Sequence, residues 1–154
     1  GGHDVTAGES LCARAFAAAG IRLLRNEAAP VADGLWVAGV RDNSEFYLDR
    51  LGTALADVPE GARTSLLAHS PDIAPEAQQA GVDLVLSGHT HGGQVCAPFY
   101  GPILTESRLG RRFARGLNRA GGTWVHTSRG LGAVRLPIRF LCRPEITLLR
   151  LVTG

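Results

Sequence analysis

The chain has 154 residues, 45% hydrophobic and 19% charged, with a formal net charge of +2. That content suffices for one core of ordinary size, so a single domain over residues 1–154 is expected, and a repeat array or disordered tail is excluded. No apolar run reaches the ~18 residues of a membrane-spanning helix, and no nucleic-acid motif accompanies the basic residues.

In chain order, the first element is an amphipathic helix over Glu9–Ala19, where Leu11, Ala15, Phe16 and Ala19 recur at helical spacing before Gly20. Short apolar runs bounded by Gly, Pro, Asp or Asn then read as strands: Ile21–Leu24, Leu35–Val40, Ser65–Ala68, Val82–Leu86, Trp124–Thr127 and Glu145–Leu151. Helical spacing recurs over Ser44–Ala56 and Pro71–Ala80. The Gly- and Pro-bearing stretch 92–122 reads as an extended loop with one basic helix near Leu109–Leu117, carrying Arg111, Arg112 and Arg115. Strands and helices alternate in the first half and the last strands follow without a helix, which implies a layered α/β architecture with antiparallel additions.

Ligands of open α/β sheets gather beyond the carboxyl ends of strands. His69 closes the run TSLLAH, and His89 and His91 follow the run VDLVLSG. If the Gly-flanked loop is extended, residues i and i+2 point to one side, so His89 and His91 can share a centre with His69. Neutral imidazole is a common transition-metal ligand, whereas a hydrogen-bonded loop or core histidine is the alternative for each. His3 and Asp4, beside Gly1 and Gly2, offer an acid–base pair, and His126 lies inside a strand. Cys12, Cys96 and Cys142 are odd in number and far apart, which argues against a disulfide framework or a cysteine-built zinc site and leaves them as buried thiols. The start at Gly1 without a methionine reads as the interior of a longer chain, whose preceding segment is where a membrane association would arise. The compartment, bacterial cytoplasm or membrane surface, is left open.

The order GGHD at 1–4, LLAHSPD at 66–72 and LSGHTHGGQ at 86–94 resembles the last three blocks of the calcineurin-like metallophosphoesterase pattern: GNH(D/E), a His, and GHxH. GPILTESRLG, SRGLG and LPIRFLCRPEITLLRL resemble its bacterial YkuE-like and YaeI-like phosphodiesterases, so the likeness runs along essentially the whole chain. It implies a four-layer α/β/β/α sandwich, here lacking its N-terminal strands, and hydrolysis of phosphodiester or pyrophosphate bonds by a metal-activated hydroxide. It also implies two divalent ions (Mn, Fe, Zn or Mg), with His69 and His89 on one and His91 on the other. His3 would protonate the leaving oxygen, with Asp4 or an upstream Asp orienting it; Arg129, like the arginines between 108 and 115, is a candidate to bind substrate phosphate or a neighbouring acidic group.

Two departures bear on this. Gly2 stands where the family has a metal-binding Asn, and the upstream DxH and GDxxD blocks that supply anionic ligands are not in this sequence. Neutral imidazoles alone hold two close divalent ions poorly, so this polypeptide is expected to bind at most one metal well and to self-associate through an exposed sheet edge. The rival reading is a degenerate single-metal binding or interaction domain.

Overall fold

The computed structural model describes residues 1–152. The elements are α1 (Gly2–Ala7), α2 (Glu9–Ala18), β1 (Glu27–Ala32), β2 (Leu35–Gly39), α3 (Leu51–Leu55), β3 (Arg63–Leu67), α4 (Ala74–Gln79), β4 (Leu84–Ser87), β5 (Cys96–Ala97), β6 (Gly101–Pro102), β7 (Gly116–Ala120) and β8 (Thr123–Thr127). Among the described residues, eight strands form a six-stranded sheet, ordered β1-β2-β3-β4-β8-β7, and a small β5–β6 ribbon.

The sheet is parallel at its centre and antiparallel at both margins. β2, β3, β4 and β8 run parallel, whereas β1 pairs antiparallel with β2 and β7 with β8. The marginal pairs are local hairpins, turned at Asp33-Gly34 and Gly121-Gly122, and Gly34 and Gly121 take the positive φ such tight turns require. Parallel pairing needs a crossover. The one from β3 to β4 runs through the 3₁₀ turn Pro71–Ile73 and α4; Ser70 caps the turn by accepting from Asp72 N–H, and Pro71 fits its first position.

Ala38, Leu66, Val85 and Val125, one from each central strand, are fully buried and pack with Ile73, Ala74, Ala77 and Phe113. This core covers one face of the sheet and fixes the register of β3 and β4, and with it the place where their carboxyl ends emerge.

The α/β class with antiparallel margins is as expected, and four expected elements are not. Ile21–Leu24 and Glu145–Leu151 are not strands. Both are apolar, but strands exist by pairing, and the Asp33-Gly34 turn gives the place beside β2 to β1. Residues 144–152 carry no ladder, and their recorded backbone tie is Glu145 N–H to Gly130 O at 3.1 Å. The helix expected over Ser44–Ala56 shrinks to α3 because the Asp42 carboxylate captures the N–H groups of Ser44, Glu45 and Phe46, a side-chain competitor to helical bonding. Leu109–Leu117 forms turns and then enters β7, with Gly110 and Gly116 at positive φ and the N–H groups of Arg108 and Leu109 held by Asp72.

Candidate metal centre

Adjacent parallel strands β3 and β4 deliver His69 and His89 to one place. Their ladder continues past the strand ends, with Ala68 N–H donating to Leu86 O and Gly88 N–H to His69 O, both at 3.0 Å. His89 Nδ1 lies 3.1 Å from His69 Nε2, and the rings tilt by 55° with centroids 4.7 Å apart. Two nitrogens sharing one ion at 2.0–2.1 Å stand about 2.9–3.4 Å apart, from octahedral to tetrahedral angles, so the pair has the span of two ligands on one metal. Burial, then the nearby terminal ammonium and His89, push the His69 pKa down to about 4, against the opposing pull of Asp42 and Asp4. His69 is therefore neutral at pH 7, the form that ligates.

The segment past His69 is fixed by a two-point amide clasp. Asn43 Nδ2 donates to Ser70 O and Ser70 N–H donates to Asn43 Oδ1, each at 2.9 Å, and both residues are buried. The loop from Gly88 is not extended. His89 (φ 66°), His91 (φ 51°) and Gln94 (φ 51°) all sit in the left-handed region, a strained arrangement for residues other than glycine. The extended backbone on which the alternation argument rested is therefore absent here, and His91 Nδ1 lies 3.3 Å from Gly132 O.

Several neighbours hold that unusual loop. Buried Thr90 donates to Ala114 O at 2.7 Å and accepts from Gly92 N–H at 3.2 Å. Gly92 (φ 64°) runs so close to Arg129 and Cys142 that an added Cβ would lie 2.5 Å from Arg129 Cγ and 2.8 Å from Cys142 Sγ. Cys142 donates its thiol to His91 O and Gly92 O at 3.3 and 3.4 Å. The Arg139 guanidinium reaches the carbonyls of His91 (3.2 Å), Arg129 (2.7 Å), Gly132 (2.8 Å) and Cys142 (3.3 Å), lacing the C-terminal segment to the loop.

His3 is exposed on α1, two residues beyond Gly1, which lies against His69, with no hydrogen bond among the described residues. Asp4 accepts from the Gly1 amine at 2.6 Å and, with His69, Asp42 and His126, lines a cavity of about 570 Å³. Arg129 is engaged by Glu145, with Nε donating to Oε2 at 2.7 Å and the backbone N–H to Oε1 at 3.1 Å. The basic stretch is likewise spent locally: Arg108 pairs with Asp72, Arg111 stacks over Tyr100 at 4.0 Å, and Arg119 over Trp124 at 4.5 Å. Among the described residues, no group of three or more His, Cys, Asp or Glu is arranged to hold a metal.

Asn43, Thr90 and Arg139 carry much of this site and went unmarked in the sequence. Their partners lie 24 to 48 residues away for the bonds that matter, and no short motif encodes such pairs.

The chain is 39% identical over 155 residues to the "Uncharacterized metallophosphoesterase YkuE" of Bacillus subtilis, covering 98% of this chain and 52% of that protein. It is 33% identical over 162 residues to "Phosphodiesterase YaeI" of Escherichia coli, covering 99% and 56%. The chain belongs to the metallophosphoesterases. "UDP-2,3-diacylglucosamine pyrophosphatase LpxG" of Chlamydia trachomatis is 30% identical over 138 residues, covering 84% of the chain and 41% of that protein. The chain thus spans about half the length of the curated relatives it matches. No family profile matches it, and no solved structure does. For this metallophosphoesterase chain, the mixed α/β fold agrees with the family expectation, and the imidazole pair sits on two of the motif histidines.

Proposed function

We propose that the protein to which this chain belongs hydrolyses phosphoester bonds, of the diester or pyrophosphate kind, with divalent metal held at the His69–His89 pair. The observation that carries this is the 3.1 Å approach of two motif imidazoles at the carboxyl ends of adjacent parallel strands. A divalent ion, when bound, supplies Lewis-acid stabilisation of phosphoryl oxygens and acidifies water. The chain's own residues do the rest: His69 and His89 present lone pairs, and His91 extends the donor set from the strained loop. His3 protonates the leaving oxygen and Asp4 biases its ring. Arg129, already satisfied by Glu145, would bind substrate phosphate only by exchanging that partner.

The relatives named a phosphodiesterase and a pyrophosphatase support the ester class. The test compares hydrolysis of an aryl phosphodiester, with manganese, by this chain and by a longer protein with sequence added before Gly1. Turnover by the longer protein that is lost on His89→Ala is expected, together with weak turnover by the chain alone. Turnover insensitive to His89→Ala in the longer protein would overturn the reading.

A second reading, a single-metal binding domain, is favoured by the histidine pair standing without a third clustered ligand. Metal stoichiometry in the longer protein separates the two: two ions per chain for the hydrolase, one for the binding domain.

A further inference from the structure

We propose that Cys96 and Cys142 are a dithiol modification site: a low-molecular-weight disulfide converts them into an intrachain disulfide, and the conversion withdraws S–H donors from the loop that carries His89 and His91. No bound metal is needed for it.

The first observation is convergence. Cys96 and Cys142 lie far apart in the chain, yet both thiols donate to one acceptor, the Gly92 carbonyl, at 3.7 and 3.4 Å. The segments that bear them are tied together. Cys96 N–H donates to Phe140 O at 2.9 Å, Phe140 N–H donates to Gln94 O at 3.0 Å, and Val95 bridges Phe140 in parallel. Cys142 follows two residues after that bridge. Both cysteines are free and buried, whereas Cys12 is half-buried and donates elsewhere, to Asp4 O at 3.7 Å.

The second observation is what surrounds the sulfurs. Arg115 Nη1 stands 3.6 Å from Cys96 Sγ, and Arg139 Nη1 stands 3.8 Å from Cys142 Sγ. The thiolate is the species that exchanges, and a neighbouring cation favours it. Burial, and then the Cys142 thiol, hold the Cys96 pKa above its ordinary value against the pull of Arg115, so Cys96 rests as an S–H donor at neutral pH. Cys96 also lines an open cavity of about 640 Å³ with Arg111, Arg115 and Asn118. That cavity gives a small disulfide its route to a sulfur that is otherwise enclosed.

The exchange runs in two steps. The Cys96 thiolate attacks one sulfur of the reagent RSSR, breaking its S–S bond, forming a mixed disulfide and releasing RS⁻. The Cys142 thiolate then attacks the Cys96 sulfur and releases the second RS⁻. The two protons leave with the two RSH; the reagent gains two electrons, and the cysteine pair loses them. Gly92 O thereby loses both thiol donors, and His91 O loses the Cys142 donor at 3.3 Å. Among the described residues no other side chain donates to Gly92 O, whereas His91 O keeps Arg139. The bonds vanish from a loop that already holds His89, His91 and Gln94 at positive φ, where stored strain makes the surrounding contacts matter most.

The test treats the unsubstituted chain with oxidised glutathione, in buffer and in guanidinium chloride, and maps the disulfides by peptide mass spectrometry. In buffer, a Cys96–Cys142 bridge is expected as the main product, with loss of two of the three titratable thiols. In denaturant that preference should vanish and Cys12 should take part. On oxidation in buffer the His91 ring ¹⁵N resonances should shift, and dithiothreitol should return them, while those of His126 inside β8 stay in place. In Cys96→Ser, which keeps a hydroxyl donor and cannot form the bridge, the same treatment should leave them unmoved. A product in buffer that matches the denatured mixture, or a mixed disulfide at Cys96 that never closes on Cys142, would overturn the site. Bridge formation with unmoved His91 resonances would overturn its coupling to the loop.

Discussion

Asp42 is buried and accepts the N–H groups of Phe46 and Glu45, both at 2.8 Å, together with the Ser44 hydroxyl at 2.9 Å. Burial alone would raise its pKa, but these bonds outweigh it and bring the value down to about 2 from 3.8. A carboxylate with a depressed folded-state pKa contributes stability that is complete above its unfolded value and is lost as pH falls through the folded one. For Asp42 that window runs from about pH 4 to about pH 2, and the contribution is about 2 kcal/mol. Asp42→Asn should therefore lower stability at pH 7 by roughly that amount and flatten the acid limb, as read from urea denaturation at pH 7 and pH 3. Asn43→Ala should cost about 1–3 kcal/mol, because it strands the buried N–H and C=O of Ser70, and a lowered melting temperature checks it. Neither residue was marked in the sequence, whereas His69, His89 and His91 were. A histidine after an apolar run announces itself, but an Asp or Asn in a loop looks the same whether it solvates the surface or organises a turn.

The elements were legible where pairing and packing agree with local pattern. The runs ending in His69 and Ser87 became β3 and β4 because each sends fully buried side chains, Leu66 and Val85, into the core. The apolar run 145–151 carries the same signal and forms no strand, since no neighbouring edge receives it. Sequence gives the wish to pair, and topology decides whether it is granted. The loop after β4 shows the opposite limit: its glycines signalled a special conformation, but not the left-handed histidines within it. Gly92→Ala tests that loop. It combines a positive-φ penalty with overpacking against Arg129 and Cys142, about 2–4 kcal/mol in all, and a thermal melt should show it directly. Arg139→Lys should be milder for the fold, because a single ammonium cannot span carbonyls that the guanidinium fork reaches. Its signature is at His91: loosening of Gly132 O should shift the His91 ring ¹⁵N resonances while those of His69 and His89 stay in place.

At the scale of the molecule, the sheet edges are not where association is to be sought. β1 carries Pro30, which withholds a backbone donor, and a register irregularity follows it; β7 carries Asn118 and Arg119 and opens on a positive-φ glycine. Each is a device that blunts an edge, so the sequence-based expectation of pairing through an open edge finds little support here. Exposed apolar side chains occur at several places, Phe99, Ile103 and Leu104 among them, and one run of them lies on residues 144–152, where Ile146 and Leu148 are 85% and 94% exposed and Leu151 and Val152 are also open to solvent. A contiguous apolar segment of this kind drives association, and at roughly 25 cal/mol per Å² its burial outweighs what a protected edge offers. The chain is therefore expected to self-associate with rising concentration in sedimentation velocity. Ile146→Ser with Leu148→Ser should shift it toward monomer, whereas Val31→Lys on β1 should leave the distribution unchanged. A monomeric unsubstituted chain at 100 µM, or a response to Val31→Lys alone, would show that the tail does not govern association.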